Sequence, residues 1–168
     1  NFKLILAGKL LVPESELIDQ WINEFKINPE NVFKTGYISD SYLVCLYRKC
    51  SLFVFPSLHE GFGLPILEAM SCGAAVIGSN STSIPEVIGL KEAMFDPYNV
   101  SDMVYLITKS LKNSKFFDTL KCNSKIQSER FSWSNTAELA IEALKYFVKQ
   151  NKNSDYTSNL DVLFTKNK

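Results

Sequence analysis

Two glutamates, Glu60 and Glu68, flank a turn that carries Gly61 and Gly63 and runs into Pro65. The full stretch is His59-Glu60-Gly61-Phe62-Gly63-Leu64-Pro65-Ile66-Leu67-Glu68-Ala69. Glycines at 61 and 63 let the backbone approach a ligand closely and take positive φ. Pro65 suits the first turn of a helix, where its missing N–H costs nothing. A helix that begins there leaves the N–H groups of Phe62, Gly63 and Leu64 pointing outward, and such a start binds phosphate without net protein charge. The two carboxylates, one at the mouth of the turn and one on the helix flank, are acceptors suited to sugar hydroxyls. The residues alone leave a second reading open, in which Glu60 caps the helix and Glu68 belongs to a solvated face.

Other chemistries fit this stretch poorly. Gly61-Phe62-Gly63-Leu64-Pro65-Ile66 opens like a dinucleotide fingerprint, but Ile66 stands where the third glycine belongs and Pro65 breaks the pattern. The facing carboxylates of a glycoside hydrolase have no use for a glycine-rich helix start between them. His59 is the one histidine and Gly-x-Ser-x-Gly is absent, so no Ser-His-Asp set can be assembled. Cys45, Cys50, Cys72 and Cys122 form no CxxC pair, and no metal site is expected. These cysteines read as buried, reduced, small hydrophobes, in keeping with a cytosolic compartment.

The composition sharpens the same point. Eighteen basic residues balance eighteen acidic ones, so no broad positive field recommends nucleic acid or an anionic membrane. Any anion must be held locally, by main-chain N–H groups or a few placed side chains. No apolar run approaches the roughly eighteen residues that a membrane span requires. The opening Asn1–Gly8 is too short and strand-like for a signal peptide. Without an initiator Met it reads as cut from something longer.

The elements that must position the turn follow from periodicity. Short apolar runs at Lys3–Ala7, Asn31–Thr35, Ser51–Pro56, Ala74–Ile77 and Ala93–Phe95 predict strands. Between them, Glu14–Phe25, Asp40–Lys49 and Leu64–Cys72 predict helices, with a polar loop at Gly78–Ser83 and a short helix from Pro85. Three helices, over Ser101–Leu111, Lys115–Ser128 and Asn135–Val148, close the pattern. Trp21, Trp133 and the phenylalanines read as core. Residues 1–150 are expected as one domain and 151–168 as a polar, loosely ordered tail. Strands alternating with helices argue for an α/β fold, a parallel sheet covered on both faces, with ligands beyond the carboxyl ends of its strands.

At this point the residues resemble a known family. Phe55-Pro56-Ser57, then Glu60-Gly61-Phe62-Gly63-Leu64-Pro65 and Glu68-Ala69-Met70, are similar to the Glu-x7-Glu signature of glycosyltransferase family 4, the glycosyl transferases group 1. The likeness continues through Cys72-Gly73 and Asn80-Ser81-Thr82-Ser83-Ile84-Pro85-Glu86-Val87, and more softly from Phe2 to Val148.

The resemblance implies a Rossmann-like domain, the C-terminal, donor-binding half of a GT-B enzyme. It implies that Glu68 meets the ribose hydroxyls of a nucleotide-sugar and Glu60 the hydroxyls of the transferred sugar, as the catalytic residue. Main-chain N–H groups of Phe62, Gly63 and Leu64, with Gly61, would meet sugar and diphosphate. Gly36, Tyr37 and Ile38 would lie beside the base. Thr82 and Ser83 would line the cleft, Pro85 and Glu86 would be structural, and His59 would pack in the wall or touch the donor. Transfer with retention of configuration, no cofactor and no metal are further implications. So is a glycan or lipid-linked acceptor, held by an N-terminal half in the cytoplasm or at the inner face of a membrane. The family's basic pair is missing from this stretch, Lys9 does not take its place, and the N-terminal half is absent too, so the chain alone is expected to bind donor weakly and to catalyse little or nothing. A non-catalytic nucleotide-sugar-binding module and a GT-B epimerase are the alternatives.

Overall fold

The computed structural model describes residues 2–150; the tail expected at 151–168 lies outside the described residues. Among these described residues five strands and seven α-helices follow in the order β1 (Leu4–Ala7), α1 (Val12–Glu24), β2 (Val32–Gly36), α2 (Asp40–Lys49), β3 (Phe53–Phe55), α3 (Leu64–Ser71), β4 (Val76–Ser79), α4 (Ile84–Ile88), β5 (Met94–Phe95), α5 (Val100–Lys112), α6 (Ser114–Arg130) and α7 (Trp133–Gln150). The strands pair in parallel, as apolar runs joined by crossover helices require. They form two groups, β1 with β2 and β3-β4-β5, where one continuous sheet was expected. Parallel strands with helices on both faces make this a Rossmann-like α/β fold.

Local chemistry sets the helix ends. Ser39, Asn99 and Asn113 cap α2, α5 and α6 by accepting from the N–H groups of Tyr42, Asp102 and Phe116. At α1 the cap position is Leu11, which has no side-chain acceptor, so only the Glu14 carboxylate reaches back to the Leu11 N–H, at 2.9 Å. The core gathers α3, β4, α4 and β5 against α5 and α6, with Ile66, Ile77, Ile84 and Phe95 sealed from solvent.

β4 runs two residues past the expected end. Gly78 and Ser79 leave the predicted polar loop because they pair with Met94 and Phe95. A Cβ on Gly78 would stand 2.8 Å from Ile88 Cδ1 and 3.2 Å from the Phe55 carbonyl oxygen, so only glycine lets strand and helix approach this closely. Other expectations fail on exposure, among them the burial of Phe2, Phe25, Phe33 and Phe147, which are exposed. Trp21 and Trp133 are 47% and 81% exposed, because neither α1 nor α7 meets a covering layer on that face among the described residues. Cys45 and Cys122 lie on outer helix faces and are exposed, whereas Cys50 and Cys72 are half-buried; all four are free.

Candidate functional site

β3 delivers the chain into the segment 56–63, which emerges at the carboxyl end of that strand and ends in α3. The segment has little secondary structure of its own, and hydroxyls from the end of β4 and the stretch leading to α4 engage part of its main chain. Ser79 Oγ donates to the Ser57 carbonyl at 2.5 Å and Ser81 Oγ to the Leu58 carbonyl at 2.7 Å. Thr82 Oγ1 accepts from the Glu60 N–H at 3.0 Å. Ser83 Oγ shares its one proton between the carbonyls of Glu60 and Phe62, at 3.1 and 3.0 Å. Thr82 itself holds φ at +50°, a conformation that costs a β-branched residue about 1–3 kcal/mol and that recurs at ligand sites.

Gly63 closes the turn as the residue before α3, buried, with φ at +102°. Gly61 does not share the left-handed backbone expected of it; the bend is made at Gly63 alone. The Gly63 carbonyl accepts from Ile66 and Leu67, while the N–H groups of Phe62, Gly63 and Leu64 find no acceptor among the described residues. The Phe62 ring meets Phe131 edge-on at 5.5 Å, pinning the turn to the junction of α6 and α7.

The carboxylates sit on either side of this helix start. Glu60 is half-buried, with its main chain engaged at both ends. It makes no side-chain cap to α3, so the capping alternative fails. Glu68, one turn into the helix, is exposed but not merely solvated, since its Oε2 accepts from the Tyr47 hydroxyl at 3.2 Å. Tyr47 is 5% exposed, and burial together with the neighbouring Glu68 charge pushes its phenol well above the ordinary range. His59 is exposed and, among the described residues, is hydrogen-bonded only through its carbonyl, which does not fit a wall-packing role.

Gly36, Tyr37 and Ile38 follow β2 at its own carboxyl end. Gly36 turns at φ +64°, Tyr37 is 86% exposed, and Ile38 lines an open depression of about 550 Å³ with Lys34, Thr35, Ser39 and Tyr42. No hydrogen bond among the described residues joins this group to the glycine turn; α2, which begins at Asp40, reaches Glu68 through Tyr47. Thus Glu60–Leu64, Thr82 and Ser83 form one constellation, Glu68 joins it along α3, and 36–38 stand apart. No cluster of three His, Cys, Asp or Glu able to hold a metal ion occurs among the described residues. None of the described helices is long and apolar enough to cross a membrane.

Residues 1–127 match the family profile described as glycosyl transferases group 1. The chain belongs to that family. Among its relatives is the serotype-specific mannosyltransferase WbdA of Escherichia coli, 44% identical over 155 residues, which are 92% of this chain and 19% of that protein. O-antigen chain mannosyltransferase B of Escherichia coli is 43% identical over 110 residues, 66% of this chain and 29% of that protein. The chain therefore spans about a fifth to a third of the length of these relatives. HepE of Anabaena, solved in complex with UDP, superposes with a TM-score of 0.77 at 22% identity, over 86% of this chain and 41% of that one. Sucrose-phosphate synthase of Thermosynechococcus elongatus gives 0.76 at 23%, over 89% and 39%. These likenesses show the fold.

Tyr47 and Phe131 were missed as site residues. Tyr47 reads as one more apolar position on α2, and its partner lies 21 residues away. The one legible signal was the run Ser79-Asn80-Ser81-Thr82-Ser83. Consecutive hydroxyls beside a glycine-rich turn are suited to bonding its main chain.

Proposed function

We propose that this chain is the donor-binding, C-terminal half of a GT-B enzyme that transfers a sugar from a nucleoside diphosphate to a glycan or lipid-linked acceptor, with mannose the favoured sugar. The observation that carries this reading is the start of α3, where three N–H groups without acceptors are presented by a turn that hydroxyls hold in place. Such a start takes up a diphosphate through its N–H groups and the helix dipole. It suits a chain of zero formal net charge. Mannose is favoured by 44% identity to WbdA over 92% of this chain. That kinship supports transfer over epimerisation or donor binding alone.

On this reading Glu68 accepts from the ribose hydroxyls and Glu60 from the transferred sugar. Gly36, Tyr37 and Ile38 flank the base. Thr82 and Ser83 act on the donor through the turn they hold. Retaining transfer breaks the bond between the anomeric carbon and the diphosphate oxygen. The acceptor oxygen bonds to the same face, and its proton leaves with the diphosphate, whose charge the N–H groups stabilise without a metal. The acceptor, and any contact with the inner face of a membrane, fall to segments that the relatives carry beyond the matched span.

Titrating the full chain with UDP, GDP and ADP, with Glu68→Ala alongside, tests the site. Saturable binding of one nucleotide, weakened in the variant, is expected. A longer form that carries the acceptor-binding half, given the matching nucleoside-diphosphate mannose, should then yield a mannosylated acceptor. Undiminished binding in Glu68→Ala would overturn the site assignment, and release of an epimerised donor without acceptor would overturn the reaction.

A further inference from the structure

The part-buried polar contact between α2 and α3 deepens this reading and rests on it. A glutamate on an exposed helix face has three rotatable bonds and samples many positions, so an acceptor meant for one ligand group benefits from being held before the ligand arrives. Glu68 is held at one oxygen only. Its Oε2 accepts from the Tyr47 hydroxyl, and no other hydrogen bond to the carboxylate exists among the described residues. The Tyr47 ring cannot wander, being 5% exposed and edge-on to Phe53 at 5.3 Å, with Phe53 stacked on Phe55 at 6.0 Å. Those two rings belong to β3, the strand that leads into the glycine turn. The tyrosine therefore ties the helix-flank carboxylate to the strand that presents the N–H groups.

We propose that Tyr47 is a positioning residue for the donor: its hydroxyl fixes Glu68 Oε2, leaving Oε1 as a pre-set acceptor for the ribose diol. Burial and the Glu68 charge keep the phenol protonated, so it remains a donor to the carboxylate. The 3.2 Å separation is longer than a tight charge-assisted O–H···O bond, which makes the expected effect modest.

The experiment compares the full chain, Tyr47→Phe and Glu68→Ala, each titrated with UDP, GDP and the 2′,3′-dideoxy forms of both. Tyr47→Phe keeps the ring and its packing. It should weaken the preferred ribonucleotide about fivefold, the middle of the range for one hydrogen bond, and leave its dideoxy counterpart unchanged. Glu68→Ala should remove the ribose preference altogether. Equal weakening of both ligands by Tyr47→Phe would make the tyrosine merely structural and overturn the inference. So would an unchanged ribose preference in Tyr47→Phe beside a lost one in Glu68→Ala, and the site assignment would then survive. A ribose preference undiminished in Glu68→Ala would overturn the site assignment itself.

Discussion

β1 and β4 are both four-residue strands that open on apolar residues, LILA and VIGS, and each pairs in parallel, yet β4 is buried at every position while β1 is mostly exposed. The difference lies in what surrounds them. β4 has β3 and β5 as neighbours and α3, α4 and α6 packed on it, whereas β1 has β2 as its one strand neighbour among the described residues. An apolar run thus specifies a strand and favours parallel pairing, but its burial comes from covering layers. In the open unit, polar ties stand in for packing. Lys34 Nζ bonds both Asp19 oxygens at 2.7 Å and Ser15 Oγ at 2.9 Å, binding β2 to α1. The candidate site is built mainly on the buried unit, where its backbone geometry is enforced from several sides.

Matched truncations in the two strands give the largest contrast. Ile77→Ala removes a side chain with no exposure and should cost about 2–5 kcal/mol by urea unfolding. Ile5→Ala removes one that is 45% exposed and should cost less than about 1 kcal/mol. Equal losses would break the comparison and mean that β1 is covered in solution. Next in size, Glu68→Ala should weaken nucleotide binding by about 1.5–3 kcal/mol in titration. Glu60→Ala should spare the bare nucleotide and weaken only the sugar nucleotide; loss of both ligands alike would put Glu60 at the diphosphate. Gly63→Ala places a side chain at φ +102° and 3.3 Å from Ile66 Cδ1. About 1–2 kcal/mol of stability should go with it, along with nucleotide affinity. The smallest effect sharpens the open side. Lys34→Ala, which removes a partly exposed ion pair, should cost less than about 1 kcal/mol and matter still less at high salt.

Periodicity and turn chemistry made much of this legible. The helix over 40–49 and the bend at Gly63 follow from local residues, and both stand where the sequence puts them. What escaped was tertiary. β4 extends through Gly78 and Ser79 because β5 offers a partner, which no local pattern announces. The hydroxyls of Ser79, Ser81, Thr82 and Ser83 were visible as residues, but their targets lie 21–23 positions away. Trp21 and Trp133 show the converse error, in which helical spacing of an aromatic is taken for burial.

The hydroxyl bonds to the 57–62 segment also bear on how the molecule reaches its native state. Each closes a loop of 21–23 residues, and pairing Phe53 with Val76 already closes one of nearly the same size. The entropy of that closure is lost once, when β3 meets β4. After that the hydroxyls have only their own rotation to give up. The turn should therefore become ordered together with the strands rather than in a later step. In native-state hydrogen exchange the Glu60 amide, bonded to Thr82, would open with the amides of β4 as one unit.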